Sequence, residues 1–118
     1  MSLYNVEVLK VGEYASEALD DGMLILFNKK APADVAEFCF IHNHDELKGE
    51  IIIGCNVVID GVTFSVTAVG SAVNQNLGNL GHITLRFDSA DTAEYPGSLH
   101  LDGNQPEPLM AGSTLTFY

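Results

Sequence analysis

Asn56-Val57-Val58-Ile59-Asp60-Gly61-Val62-Thr63-Phe64-Ser65-Val66-Thr67-Ala68-Val69 is the stretch that decides the fold. Two runs rich in Val, Ile, Phe and Thr flank Asp60-Gly61, and a two-residue type I′ turn requires the positive φ that this dipeptide accepts. The stretch reads as a β-hairpin. Further strand-like runs, short and bounded by Gly, Asp and Asn, recur at residues 6–11, 23–27, 38–42, 82–87, 98–101 and 113–118. Only residues 15–19 and 72–77 read as short helical turns. The expectation is an all-β protein.

Composition limits what such a protein can do. A chain of 118 residues that is 47% hydrophobic forms one domain, 1–118, around a single core. The longest apolar runs, 23–27 and 51–53, fall far short of the ~20 residues that span a bilayer. No basic segment followed by an apolar one opens the chain, so no signal peptide is expected and the location expected is cytoplasmic. Cys39 and Cys55 lie in apolar runs and read as reduced core thiols. With a net charge of −11 and 5 basic residues, the chain is a poor match for nucleic acid or an anionic membrane surface. A basic protein partner would be steered towards it.

The two halves echo each other. Lys10-Val11-Gly12, then Leu19, Gly22 and Phe27, are followed in the same order by Ala68-Val69-Gly70, Leu77, Gly81 and Phe87. Ala33-Asp34-Val35-Ala36-Glu37-Phe38 is echoed by Ala90-Asp91-Thr92-Ala93-Glu94-Tyr95, and Ile41-His42 by Leu99-His100. The expected architecture is a single-domain, pseudo-twofold barrel of two repeats, about 4–60 and 62–118, with short helical turns. Each half would bury little alone, so the halves should interlock. In this alignment His42 matches His100, while His44 faces Asp102 and His82 faces Met23.

Chemistry concentrates in Phe38-Cys39-Phe40-Ile41-His42-Asn43-His44-Asp45-Glu46. Two imidazoles at i and i+2 in extended backbone lie on one face, and near neutral pH a histidine binds a metal, moves a proton or acts as a nucleophile. Each residue also has a plain structural reading. His42 and His100 fit as satisfied core histidines, His44 as a solvated loop residue, and His82 after Gly81 as part of a turn. Asp45-Glu46 fits as an acidic surface turn, and Cys39 as a core thiol. Interlocked halves would allow His42 and His82 to meet at one site.

Cys39-Phe40-Ile41-His42-Asn43-His44-Asp45-Glu46-Leu47-Lys48-Gly49 resembles the histidine motif of the glucitol/sorbitol-specific IIA components of the bacterial sugar phosphotransferase system. Thr67-Ala68-Val69-Gly70, Asn76-Leu77 and Leu80-Gly81-His82-Ile83-Thr84-Leu85-Arg86-Phe87-Asp88 are similar to that family's second signature. Ala31-Pro32-Ala33-Asp34 and Tyr95-Pro96-Gly97-Ser98-Leu99-His100 also match family segments, so the resemblance spans nearly the whole chain. It implies a cytoplasmic phosphocarrier that takes a phosphoryl group from phospho-HPr and hands it to a cysteine of the IIB component. The IIB and IIC membrane components then carry and phosphorylate glucitol, sorbitol or a related polyol.

The resemblance implies His42 as the phosphoryl acceptor; His82 and, more weakly, His44 are the candidates to support it, and no cofactor or metal is expected. Phosphoryl transfer needs positioning and donors to the equatorial oxygens more than covalent help. Backbone amides around residues 76–81 and the side chains of Lys48 and Arg86 are the candidates to supply them. The rival reading is a small cupin-like, metal-binding β-barrel using His42, His44 and His100. Its motif spacing is wrong, because Glu46 comes too early and Glu50 too late. A non-enzymatic binding module on the same barrel is a third.

Overall fold

The computed structural model describes residues 2–118, leaving Met1 outside. The chain runs β1 (Tyr4–Val11), α1 (Ala15–Asp20), β2 (Met23–Asn28), α2 (Ala33–Ala36), β3 (Phe40–His42), β4 (Asn56–Ile59), β5 (Val62–Val69), α3 (Val73–Leu80), β6 (Ile83–Arg86), β7 (Ser98–Asp102) and β8 (Thr114–Phe117). The hairpin at Asp60-Gly61 is present, with Ile59 opposite Val62 and φ of 48° and 84° at the two turn residues. Around it the eight strands close into one barrel in the order β1-β3-β2-β6-β7-β5-β4-β8.

Alternation along the strands fills the interior. β1 buries Tyr4, Val6 and Val8, β4 buries Val57 and Ile59, β5 buries Phe64 and Val66, and β8 buries Leu115 and Phe117. These side chains join Leu24, Leu26, Phe40, Ile83, Leu85, Leu99 and Leu101 in a single core. Fully burying side chains of this size contributes about 1.5–3 kcal/mol each before entropy is set against it. Three antiparallel pairings separate β1 from β5, so the two strands point in opposite directions. The helices that follow them therefore lie at opposite ends, α1 burying Ala15 and Leu19 and α3 burying Val73 and Leu77.

One expectation fails locally. Residues 38–39 do not open β3; they complete the turn of α2, with Phe38 N–H bonded to the Val35 carbonyl and Cys39 N–H to that of Ala36. The cause is that β2 and β3 run parallel. A parallel pair cannot be joined by a tight turn, so the chain needs a crossover, which α2 provides.

The ladder maps onto itself when β1–β4 are exchanged with β5–β8. Leu24 opposite Leu85 becomes Ile83 opposite Leu26, and Lys10 opposite Ile41 becomes Ala68 opposite His100. This register moves the alignment of β3 on β7 by one residue. Ile41 takes the place of His100, and His42 that of Leu101. A one-residue slip reverses the face of a strand residue. His42 therefore points with Phe40 into the barrel, while His100 points outward.

Candidate functional site

Because β2 and β3 are parallel and paired with Asn28 opposite His42, both strands end at the same end of the barrel. We call this end the floor; α3 covers it. His42, the last residue of β3, is 0% exposed. α3 stops at Gly81, whose φ of 61° turns its carbonyl onto His42 Nε2 at 2.8 Å. On the other side the His44 N–H donates to His42 Nδ1 at 3.0 Å. Nδ1 is thus an acceptor, and the ring proton sits on Nε2 and is donated to Gly81. His42 is a neutral imidazole fixed in one tautomer.

Burial holds the His42 pKa below its ordinary value; the Gly81 carbonyl opposes this and His44 adds to it. Burial lowers that of His82 as well. The folded protein then binds fewer protons than the unfolded chain, whose histidines titrate near 6.5, so this part of the stability is complete above that pH. It should be lost as pH falls through 6.5 towards the lower folded values, by up to about 1.4 kcal/mol per histidine per pH unit. Urea midpoints at several pH values between 7.5 and 5.0 measure the slope, and a flat profile would contradict the burial argument.

His44 reaches His42 only by adopting a left-handed backbone, φ 58°, a conformation that costs a non-glycine residue about 1–3 kcal/mol. Its Nδ1 lies 2.5 Å from the hydroxyl of Tyr4. Burial pushes the Tyr4 phenol well above its ordinary value, so the hydroxyl stays protonated and donates. The ring proton of His44 is therefore on Nε2. The ring of Tyr4, itself 0% exposed, stands edge-on to His42 at 6.1 Å. Tyr4 escapes a sequence reading because it is one apolar-patterned position among several. Tyr4→Phe should cost about 1–2 kcal/mol in chemical denaturation, since it leaves His44 Nδ1 without its donor.

His82 does not join this cluster. Its ring stacks on Phe27 at 4.2 Å and 18°, on the outer surface of the barrel, and among the described residues it makes no hydrogen bond to His42. What His42 meets is the carbonyl of the residue before it. Asp45 is occupied structurally, accepting from the Asn5 N–H, the Glu46 N–H and Lys48 Nζ. Those three donors and the Lys48 charge hold its pKa below the ordinary carboxylate value against the opposing effect of burial. Lys48 is tied to Asp45 and the Glu46 carbonyl, while Arg86 donates to Ser98 and lies over the Tyr95 ring. Neither basic residue expected at the site is free to serve it.

The amide nest expected at residues 76–81 is absent for a related reason. The segment is the C-terminal end of α3, which presents carbonyls: Leu80 accepts from Asn28 Nδ2 and Gly81 from His42. The basic groups at the floor are instead Lys29 and Lys30, which follow β2. They line a cavity of about 270 Å³ with Asn28, Asn43, His44 and Asn79. A second, shallower cleft adjoins it along residues 43–47 and Gly78.

His100 bonds through Nδ1 to Asp88 at 2.7 Å. β7 runs opposite to β3, so this pair sits towards the other end of the barrel. Among the described residues no group of three or more His, Cys, Asp and Glu side chains converges to hold a metal, which leaves the cupin-like set unassembled. Cys39 is a buried thiol whose Sγ–H points to the Val35 carbonyl; burial pushes its pKa up to about 11. Cys55 is half-buried and unpaired. No described helix is long and apolar enough to cross a membrane.

A closed barrel of this kind has a counterpart among solved structures. The crystal structure of a PTS system IIA component from Enterococcus faecalis V583 is similar with a TM-score of 0.82 at 25% identity, over 94% of this chain and 96% of that one. The architecture is that of a phosphotransferase-system IIA component. Residues 3–116 match the family model described as the PTS system glucitol/sorbitol-specific IIA component. Two relatives, the PTS system glucitol/sorbitol-specific EIIA components of Shigella flexneri and Escherichia coli (strain K12), are each 45% identical over 115 residues, 98% of this chain and 94% of theirs. The chain belongs to the glucitol/sorbitol-specific IIA family of the sugar phosphotransferase system.

Proposed function

We propose that His42 accepts a phosphoryl group from the phosphohistidine of HPr and passes it to a cysteine of the IIB component, in the cytoplasm. With IIB and IIC the protein would serve uptake and phosphorylation of glucitol, sorbitol or a related polyol. The observation that carries this reading is the trapped neutral tautomer of His42, held between the Gly81 carbonyl and the His44 amide. A neutral imidazole has the lone pair needed for attack on phosphorus; a protonated one does not. The new N–P bond forms as the donor's N–P bond breaks, and the donor ring keeps that electron pair. Both nitrogens of His42 are engaged at rest: attack through Nδ1 displaces the His44 amide and leaves the Nε2 proton on the Gly81 carbonyl, whereas attack through Nε2 requires that proton to move to Nδ1 first.

The supporting roles follow from the same contacts. His44 stabilises the ring through its amide and faces the floor cavity. His82 acts at one remove: its stack on Phe27 anchors the Gly81-His82 corner that aims the carbonyl at His42. His82→Asn should slow phosphorylation without abolishing it. His82→Phe, which keeps the stack and removes the imidazole nitrogens, should restore most of the rate. If His82→Phe is as slow as His82→Asn, the nitrogens matter and the anchoring role is wrong.

We also propose that the domain is a duplication, about 4–60 and 62–118, supported by the exchange symmetry of the ladder. The function is tested by incubating the protein with phosphoenolpyruvate, Enzyme I and HPr and measuring intact mass. One acid-labile, base-stable phosphoryl adduct per chain on His42 is expected. No adduct removes the phosphocarrier reading.

A further inference from the structure

The floor cavity is chemically unlike the rest of this acidic chain. The protein has 16 acidic residues, yet none lines it, while two of the five basic residues do. Several of its polar groups are already oriented. Asn28 is fixed at both ends, Nδ2 donating to the Leu80 carbonyl at 2.7 Å and Oδ1 accepting the Lys30 N–H at 2.6 Å. Asn43 Oδ1 accepts the Glu7 N–H at 3.0 Å, which leaves its two Nδ2 donors uncommitted among the described residues. His44 Nδ1 is held by the Tyr4 hydroxyl, so its Nε2–H is the ring's remaining donor.

These donors surround a place that would otherwise repel an anion. α3 ends here, and the C-terminal end of a helix carries partial negative charge on its unsatisfied carbonyls. Only added positive charge makes this end hospitable to a doubly negative group. Lys29 and Lys30 bring it because β2 and β3 are parallel and release their following residues side by side.

We infer that the cavity bounded by Asn28, Lys29, Lys30, Asn43, His44 and Asn79 is a seat for a tetrahedral phosphoryl dianion at the floor, where Asn28 pairs with His42. This rests on the phosphocarrier reading and adds the residues that hold the group while it is exchanged. Lys29 and Lys30 neutralise its charge, and the amides of Asn43 and Asn79 with His44 Nε2–H bind its oxygens. No bond is made or broken at the seat itself.

Inorganic phosphate and the phosphoryl group of the donor protein present the same chemistry, and two measurements separate them. In the first, phosphate at pH 8 is titrated into the full-length, isotope-labelled protein while the side-chain amides of Asn43 and Asn79 and the ring of His44 are followed by NMR. Saturable shifts confined to these residues are expected. Lys29→Gln/Lys30→Gln should weaken binding about tenfold, roughly threefold for each exposed charge, whereas Lys10→Gln should not. Both lysines are exposed, so an unchanged urea midpoint is expected of the double variant.

In the second, transfer from phosphorylated HPr is timed at saturating donor. About tenfold slower transfer in the double variant, with the donor concentration giving half-maximal rate unchanged, is the expected result. Equal phosphate affinity in the two proteins, or shifts scattered over the surface, overturns the seat even if His42 is phosphorylated. Weaker phosphate binding with unchanged transfer overturns its part in the exchange. Binding here by a protein that never forms an adduct would keep the seat and remove the carrier reading.

Discussion

His42→Gln is expected to take up no measurable phosphoryl group, a loss of roughly 10³-fold or more in rate, while the barrel stays folded. The choice of glutamine follows from the two hydrogen bonds. Its amide nitrogen can replace Nε2 as donor to the Gly81 carbonyl, and its oxygen can replace Nδ1 as acceptor for the His44 N–H. What it cannot replace is a basic nitrogen lone pair. Intact-mass analysis after incubation with the phosphorylated donor reads the adduct, and urea denaturation reads the fold. A variant that still gains the adduct at the wild-type rate would move the acceptor elsewhere, with His44 first in line.

Gly81→Ala is expected to damage the fold and the site together. A Cβ there would lie 2.4 Å from His42 Cε1, 2.8 Å from its Nε2 and 2.9 Å from the Tyr4 hydroxyl oxygen, all closer than real contacts allow. The left-handed backbone adds about 1–2 kcal/mol of strain for any L-residue, and overpacking a closed site adds about 1–3 kcal/mol. A total of about 2–5 kcal/mol should appear as a lower urea midpoint, together with loss of phosphorylation as His42 is pushed off its carbonyl. Gly22→Ala is the natural comparison. It has a similarly positive φ of 82° but nothing within 4 Å of the added atom, so only the backbone strain should be felt. If the two variants were equally stable, the crowding around His42 would be less severe than the distances imply.

What was legible in the sequence was local. The Asp60-Gly61 turn carries its own conformational requirement, so the hairpin and the alternating strands around it could be placed almost to the residue. The parallel pairing of β2 with β3 has no local signature. Without it nothing brings Lys29 and Lys30 beside His44, and attention goes instead to Lys48, four residues from His44, and Arg86, four from His82. The facing of His82 depended on a register that only the closed ladder fixes. Aligning Ile41-His42 with Leu99-His100 was one residue off, enough to equate an inward histidine with an outward one. Gly81 was visible as a strand-start glycine, but not the use of its carbonyl.

The exchange that carries β1–β4 onto β5–β8 relates the residues that leave the barrel at its two mouths. Where Lys29, Lys30 and Asn43 follow β2 and β3 at one mouth, Asp88 and Ser89 follow β6 at the other, and β7 ends in Asp102. Asp88 there holds His100, and Ser89 holds Asp102. The carboxylates at the acidic mouth would repel an anion, so the proposed seat has no counterpart there. Charge rather than backbone topology would then leave the proposed carrier a single place for a phosphoryl group.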